Sequence, residues 1–114
     1  LDPASLLVVA LEQLGETEAA AAWRAPMVAA AQRWLEQAGE GAQAHFARAL
    51  IAAMEGNADA AVAALEAAHA TGFRQRWLLA RDPRLARVRD DPRIRALDQR
   101  IATELAQIRA ALAD

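Results

Sequence analysis

The sequence predicts an all-α protein built from short antiparallel helices, and three observations lead there. Of its 114 residues 33 are Ala, the residue with the best intrinsic helix propensity. The residues that strands favour are scarce: five Val, four Ile, three Thr and no Tyr. Between successive glycines the apolar side chains recur at steps of three and four, the spacing of one helix face. With Ala set aside, 30 larger apolar residues remain, about one position in four, which suits a single small helical core. The expected domain therefore spans 1–114, as a first hairpin over 1–40, a second over 41–72, and a linking segment with a closing helix over 73–114.

The first helix is expected from Pro3 to Leu14, with Asp2 as N-cap, Pro3 at the first helical position and Gly15 as its stop. A second runs from Thr17 to Ala38, with Ala20, Trp23, Met27, Ala30, Trp34 and Ala38 on one face. Pro26 lies inside it and removes the hydrogen bond to the Ala22 carbonyl, so a kink near 22–26 or two helices meeting there is expected. The third helix spans Ala42 to Glu55 with Phe46, Leu50 and Met54 at steps of four, and Gly56-Asn57 ends it. Asn57 or Asp59 then caps a fourth helix, which reaches Ala70 and carries Ala61, Val62, Leu65, Ala68 and His69 on its inner stripe. Gly72 stops it. Asp82-Pro83 and Asp91-Pro92 each read as an N-cap followed by a first-turn Pro, leaving room for only a short helix between them. Trp77, between Arg76 and Leu78-Leu79, is expected to anchor this segment in the core. The closing helix, Pro92 to Ala113, carries Ile94, Leu97, Ile101, Leu105, Ile108 and Leu112 at steps of three and four and is the most amphipathic segment.

Several function classes lack their residues. Without Cys there is no disulfide framework, thiolate zinc site or cysteine nucleophile. Ser5 is the only Ser, and no nucleophile elbow, H-E-x-x-H or Gly-rich phosphate loop occurs, so catalysis is not expected and no cofactor is called for. His45 and His69 lie in opposite helices of one hairpin with Glu66 as the nearest further ligand; partly buried structural histidines are the plainer reading, and no metal is predicted. The carboxylate pairs Glu12/Glu16 and Asp90/Asp91 read as solvated faces and caps. The longest strongly apolar run, 6–11, is far short of the roughly 20 residues a membrane span needs. No signal sequence is evident: Asp2 occupies the place of a basic n-region, and the chain reads as cut from a longer protein.

Charge is unevenly placed. Residues 1–73 carry a net −6, 74–100 carry +5, and 101–114 carry −1. One reading makes Arg84, Arg87, Arg89, Arg93 and Arg95 an anion or nucleic-acid surface. The other, favoured because the whole chain is −2 and no nucleic-acid motif surrounds the cluster, has these side chains pairing with acids of the preceding repeat and decorating turns. Leu6, Leu7, Val8, Val9, Ala10 and Leu11 run around every side of the first helix, more than one neighbour can bury. Leu6, Leu7 and Val9 are thus a candidate edge for upstream repeats of the same chain or for a homodimer.

Two hairpins of similar plan suggest a repeat. The second is similar to a tetratricopeptide repeat: Gly56-Asn57-Ala58-Asp59 resembles the family's inter-helix turn, Ala61-x3-Leu65 its A-x3-F, and Ala68 a further small residue one turn on. His45, Arg48 and Ala52 stand where that family has Trp, Leu and Tyr, and Phe73 where it has Pro. In the first hairpin Leu7, Val8, Leu11 and Ala20 fit, but Arg24 takes the aromatic place. The glycine turns at 15 and 56 are 41 residues apart where the family period is 34, so the helix ending at Ala38 is expected to be overlong by about two turns. The stretch Gly72-Phe73-Arg74 through Trp77-Leu78-Leu79 and Asp82-Pro83 to Leu97 resembles the terminal region of repeat arrays in bacterial regulators, notably membrane-tethered winged-helix transcription regulators. The resemblance implies a right-handed solenoid and a non-catalytic module that binds a protein or peptide within a larger regulatory or signalling protein. It also implies a concave face lined by Ser5, Val9 and Glu12 of the first helix and Gln43, Phe46, Leu50 and Met54 of the third, the last three of which equally suit plain core packing. A structural capping or dimerisation element is the further alternative.

Overall fold

The computed structural model describes Val8 and residues 12–113, and among these the regular structure is all helical. Val8, Glu12 and Gln13 have helical backbone, followed by α1 (Thr17–Ala38), α2 (Ala42–Met54), α3 (Ala58–Ala70), α4 (Arg76–Arg81), a 3-10 turn (Pro83–Leu85) and α5 (Pro92–Ala113). Ser5, Leu6, Leu7 and Val9 lie outside the described residues, as does most of the predicted first helix.

The hairpin of α2 and α3 holds the centre. At its turn Glu55 closes α2 and Gly56 takes φ +74°, which a residue without Cβ adopts at no steric cost. The Gly56 N–H then donates to Ala53 O (3.0 Å) and the Asn57 N–H to Ala52 O (2.9 Å), the paired bonds of a Schellman motif. Asn57 also starts α3, its side chain accepting from the Ala60 N–H at 3.1 Å. Ala49, Ala53, Ala61, Leu65 and Ala68 are buried between these helices and those that follow, the Ala residues permitting close approach and Leu65 filling the space beside them.

Helix α1 is continuous through Pro26, so of the two expected arrangements, a kink or two helices meeting there, the second does not occur. At 22 residues it exceeds the 13 of α2 and of α3, as the turn spacing predicts. Its buried side chains are Ala20, Met27, Ala31 and Leu35, whereas Trp23 and Trp34 are half exposed. The inner face is thus rotated from the predicted one, and Arg24 continues the stripe with a long side chain that reaches back to pair with Glu12. Ala31 and Leu35 pack on Ala44, Ala47 and Ile51 of α2, while Met27 joins Val8, Ala20 and Met54.

Beyond α3 the elements recur at a fixed interval. α2 begins at 42 and α4 at 76, while α3 begins at 58 and α5 at 92, each pair 34 residues apart. Asn57 caps α3 and Asp91 caps the start of α5, again 34 residues on, with Asp91 accepting from the Arg93 N–H at 2.9 Å. Two side-chain pairs repeat the interval, Asp59 with Arg93 (2.9 Å) and Glu66 with Arg100, and His69 meets Glu104 (2.6 Å) at a separation one residue longer. Since both residue numbers rise together along this ladder, α5 lies parallel to α3. The counterpart of α2 is broken, because Asp82 leaves the helical region (ψ 117°) before Pro83 and caps the 3-10 turn instead.

Trp77 is 63% exposed, so it is no core anchor; Leu79, Leu85 and Val88 fill that role against α2, α3 and α5. In α5 the predicted stripe is buried at Ile94, Leu97 and Ile101, half-buried at Leu105, and exposed at Ile108 and Leu112. No helix among the described residues is long and apolar enough to cross a membrane.

Candidate interaction groove

Gln43, Phe46, Leu50 and Met54 fall on one face of α2 at helical spacing, and the structure lines a groove with them. Its central part, about 360 Å³, has Phe46 and Leu50 in the floor, Trp34 on one side and Phe73, Gln75 and Leu78 on the other. Trp34, Ala42 and Gln43 are shared with a neighbouring cleft of about 610 Å³ that runs to the C-terminal end of α1. At the opposite end a third recess, about 210 Å³, is bounded by Glu12, Gln13, Met54, Pro83 and Arg87, and Arg84 borders both it and the central part.

Local sequence places each wall. Gly72 takes φ +118°, so the Gly72 and Phe73 N–H groups donate to the carbonyls of His69 and Ala68 and the chain leaves α3 through a second Schellman turn. That turn delivers Phe73 against Phe46, ring centroids 4.9 Å apart and planes 12° from parallel. Leu50 and Met54 are almost fully buried, Phe46 is half-buried and Gln43 is exposed. So of the proposed concave residues, Glu12, Gln43, Phe46, Leu50 and Met54 share this groove, while Leu50 and Met54 also pack the core. Ser5 and Val9 lie outside the described residues. Trp34, Phe73 and Leu78 also line it, and sequence reasoning did not place them there: the periodicity of α1 assigned Trp34 to the core, and Phe73 and Leu78 belong to segments with no helical period.

The arginines of the predicted anion surface are engaged within the chain. Arg84 forms a bidentate pair with Asp82 (2.9 and 2.8 Å), which is buried and accepts from the Arg84 N–H as well (3.0 Å). Burial pushes the Asp82 carboxyl up, but the hydrogen bonds from Arg84 and the charges of Arg84 and Arg89 outweigh it, and the group lies below the ordinary carboxylate range. Arg74, Arg87 and Arg89 donate to backbone carbonyls at His69 (2.8 Å), Met54 (2.8 Å) and Leu79 (3.2 Å), closing the C-terminal ends of α3, α2 and α4. Arg87 also pairs with Glu12 at 2.9 Å, so Glu12, bound between Arg24 and Arg87, is not the solvated carboxylate that the sequence suggests. Arg93 binds Asp91 and Asp59; the hydrogen bond from Arg93 holds the Asp91 carboxyl low, and the bonds to both acids raise the guanidinium. Arg95 pairs with Asp90 at 3.0 Å. An anion approaching Arg84, Arg87, Arg89, Arg93 or Arg95 meets a guanidinium already bound to the chain's own oxygens.

The two histidines do not converge. His45 faces Arg48 and Glu40 (3.3 and 3.4 Å), while His69 takes Glu104, whose other oxygen accepts from Arg74 at 2.9 Å. Among the described residues no three His, Cys, Asp or Glu gather as a metal site would require. What the groove offers is an apolar floor, carboxamide rims at Gln43 and Gln75, and charges already matched within the chain. Comparison with family models, with curated proteins and with solved structures finds no match.

Proposed function

We propose that this chain is a non-catalytic interaction module that binds a protein or peptide segment along α2, within a tetratricopeptide-like array belonging to a larger regulatory protein. The observation that carries this reading is the groove itself, a trough along one helix face lined by aromatic and aliphatic side chains and carboxamides, whose bordering charges are paired. Such a surface favours an uncharged, apolar segment over an ionic ligand, because a charged one is desolvated there without gaining a free counterpart. The 34-residue recurrence of helix starts, caps and inter-helix pairs supports a tandem repeat, and the broken counterpart of α2 suits the closing unit of such an array. In this reading the stack is a right-handed solenoid and α2 contributes its inner surface.

Selection of a random peptide library on the immobilised protein tests the assignment. The expected peptides are apolar, carry little charge, and lose binding to Gln43→Arg and Trp34→Ala while those proteins keep their helical circular dichroism. Binders indifferent to both substitutions would reject the groove. Strongly acidic binders whose affinity falls steeply with salt would instead favour the arginine surface.

A further inference from the structure

The core is divided, and α1 stands outside its larger part. The main cluster joins side chains of α2, α3, α4, α5 and the segment between the last two; among the described residues none comes from α1. Two smaller clusters hold α1 to α2: Ala31 and Leu35 on Ala44, Ala47 and Ile51, and Ala20 and Met27 with Val8 and Met54. Of the 22 residues of α1 four are buried, and two of those are Ala, so the apolar area at stake in this contact is small. Where α1 gives way to α2, Gly39 combines φ +78° with ψ −152°, a backbone conformation nearly confined to glycine. The space beside Gly39 and Gly41 is open, so the joint has room to turn.

Polar contacts fasten this arm at both ends. At the joint Arg48 of α2 donates to Gly39 O (3.3 Å) and pairs with Glu40 (3.2 Å). At the far end Glu12, just ahead of α1, pairs with Arg24 of the arm and with Arg87 of the C-terminal unit (2.9 Å), and Arg87 also donates to Met54 O (2.8 Å). Along the helix Trp34 lies about 7 Å from Gly39 and Arg24 about 22 Å. The far contact therefore acts where a turn about the joint displaces α1 most. Trp34 forms one side of the groove, while Phe46, Phe73 and Leu78 across from it belong to the main cluster or pack on it. A turn of α1 thus changes the width of the groove.

We infer that α1, with Glu12 and Gln13 ahead of it, swings as one arm about the joint at 39–41, and that the Glu12–Arg87 pair latches the arm closed and so sets how far Trp34 stands from the opposite wall. The swing depends on how α1 meets α2 and not on what lies against its outer face. Its use as a gate rests on the groove's being a binding surface; the swing itself does not. Arg87 is 46% exposed, so the latch is weak and yields to ionic strength.

The chain has no Cys, so one introduced thiol is a unique probe, and the test is its labelling rate in the whole chain. Ala47→Cys sits in the small cluster beneath α1, and Ala61→Cys in the main cluster, both buried. The thiol at position 47 is expected to react at least about tenfold faster than the one at 61, because the arm opens without the core. Glu12→Gln and Arg87→Ala should each raise the rate at 47 by about threefold and leave 61 unchanged, and added salt should do the same except where Arg87 is already replaced. Equal rates at 47 and 61 overturn the arm. A rate at 47 that neither variant moves, or that rises with Arg87→Ala alone, which also frees Met54 O, overturns the latch. Ala44→Cys and Ala53→Cys serve if either first probe loses its helical circular dichroism. Groove peptides from the library selection should alter the rate at 47; if no such peptide exists the groove reading falls, while the two thiol rates still decide the arm.

Discussion

The unit formed by α2 and α3 and the unit formed by α4 and α5 begin their helices at the same interval but are held by different chemistry. In the first, two uninterrupted helices meet through Ala49, Ala53, Ala61, Leu65 and Ala68, and glycine turns close both helices. In the second, Pro83 stops α4 after six residues, and position 84, which follows Leu50 by the 34-residue interval, carries an Arg bound to buried Asp82. Hydrocarbon packing is tolerant of partners but intolerant of voids, whereas a buried ion pair fails once either member is removed. A common spacing therefore does not imply a common source of stability.

The largest effect that would sharpen this contrast is expected at Leu65, which is fully buried. Leu65→Ala should cost about 4 kcal/mol in urea unfolding through the lost contacts and the cavity left behind. A cost under about 1 kcal/mol would break the apolar account of the first unit.

Next comes Asp82→Ala, expected to cost about 3 kcal/mol because Arg84, whose side chain is only 11% exposed, loses its bidentate carboxylate and the 3-10 turn loses its cap. The pH dependence carries the same signature. With its folded-state pKa lowered, Asp82 contributes stability that is present above the ordinary carboxylate range and lost as pH falls through the folded-state value. Acid titrations followed by circular dichroism should show this loss in the unaltered chain and a smaller one in Asp82→Asn.

Asn57→Ala removes an exposed cap in the first unit and should cost about 1 kcal/mol, read as a lowered melting temperature. The smallest effect is expected from Arg95→Ala. Its pair with Asp90 is exposed at both ends, so stability should move by less than about 0.5 kcal/mol at moderate salt.

Much of the fold was legible because its punctuation is chemical. Thr17–Ala38 and Pro92–Ala113 have the predicted bounds, and Asn57, Asp82 and Asp91 cap where their side chains can accept a backbone N–H. The exposure of the tryptophans was not legible. Trp23 and Trp34 share a periodic face with Met27, but the true inner stripe is set by how α1 lies on α2, and Arg24 completes it by pairing with Glu12. Periodicity likewise identified the face of α5 without revealing that α3 ends before Ile108 and Leu112. The 34-residue interval was hidden as well, since Leu50 and Arg84 share a place in it but no chemistry. Of the groove, five side chains were named from sequence, and the opposite wall was missed because it comes from a turn and a six-residue helix.

The ladder between α3 and α5 encodes orientation. Read in chain order, one rail is acid, acid, base at 59, 66 and 69, and the other is base, base, acid at 93, 100 and 104. Turning α5 end for end would set Asp59 against Glu104, two like charges, and would take from His69 its carboxylate partner. Exposed rungs add little to stability, but together they act as a key whose teeth reject the reversed insertion, leaving one polarity in which the last helix can dock.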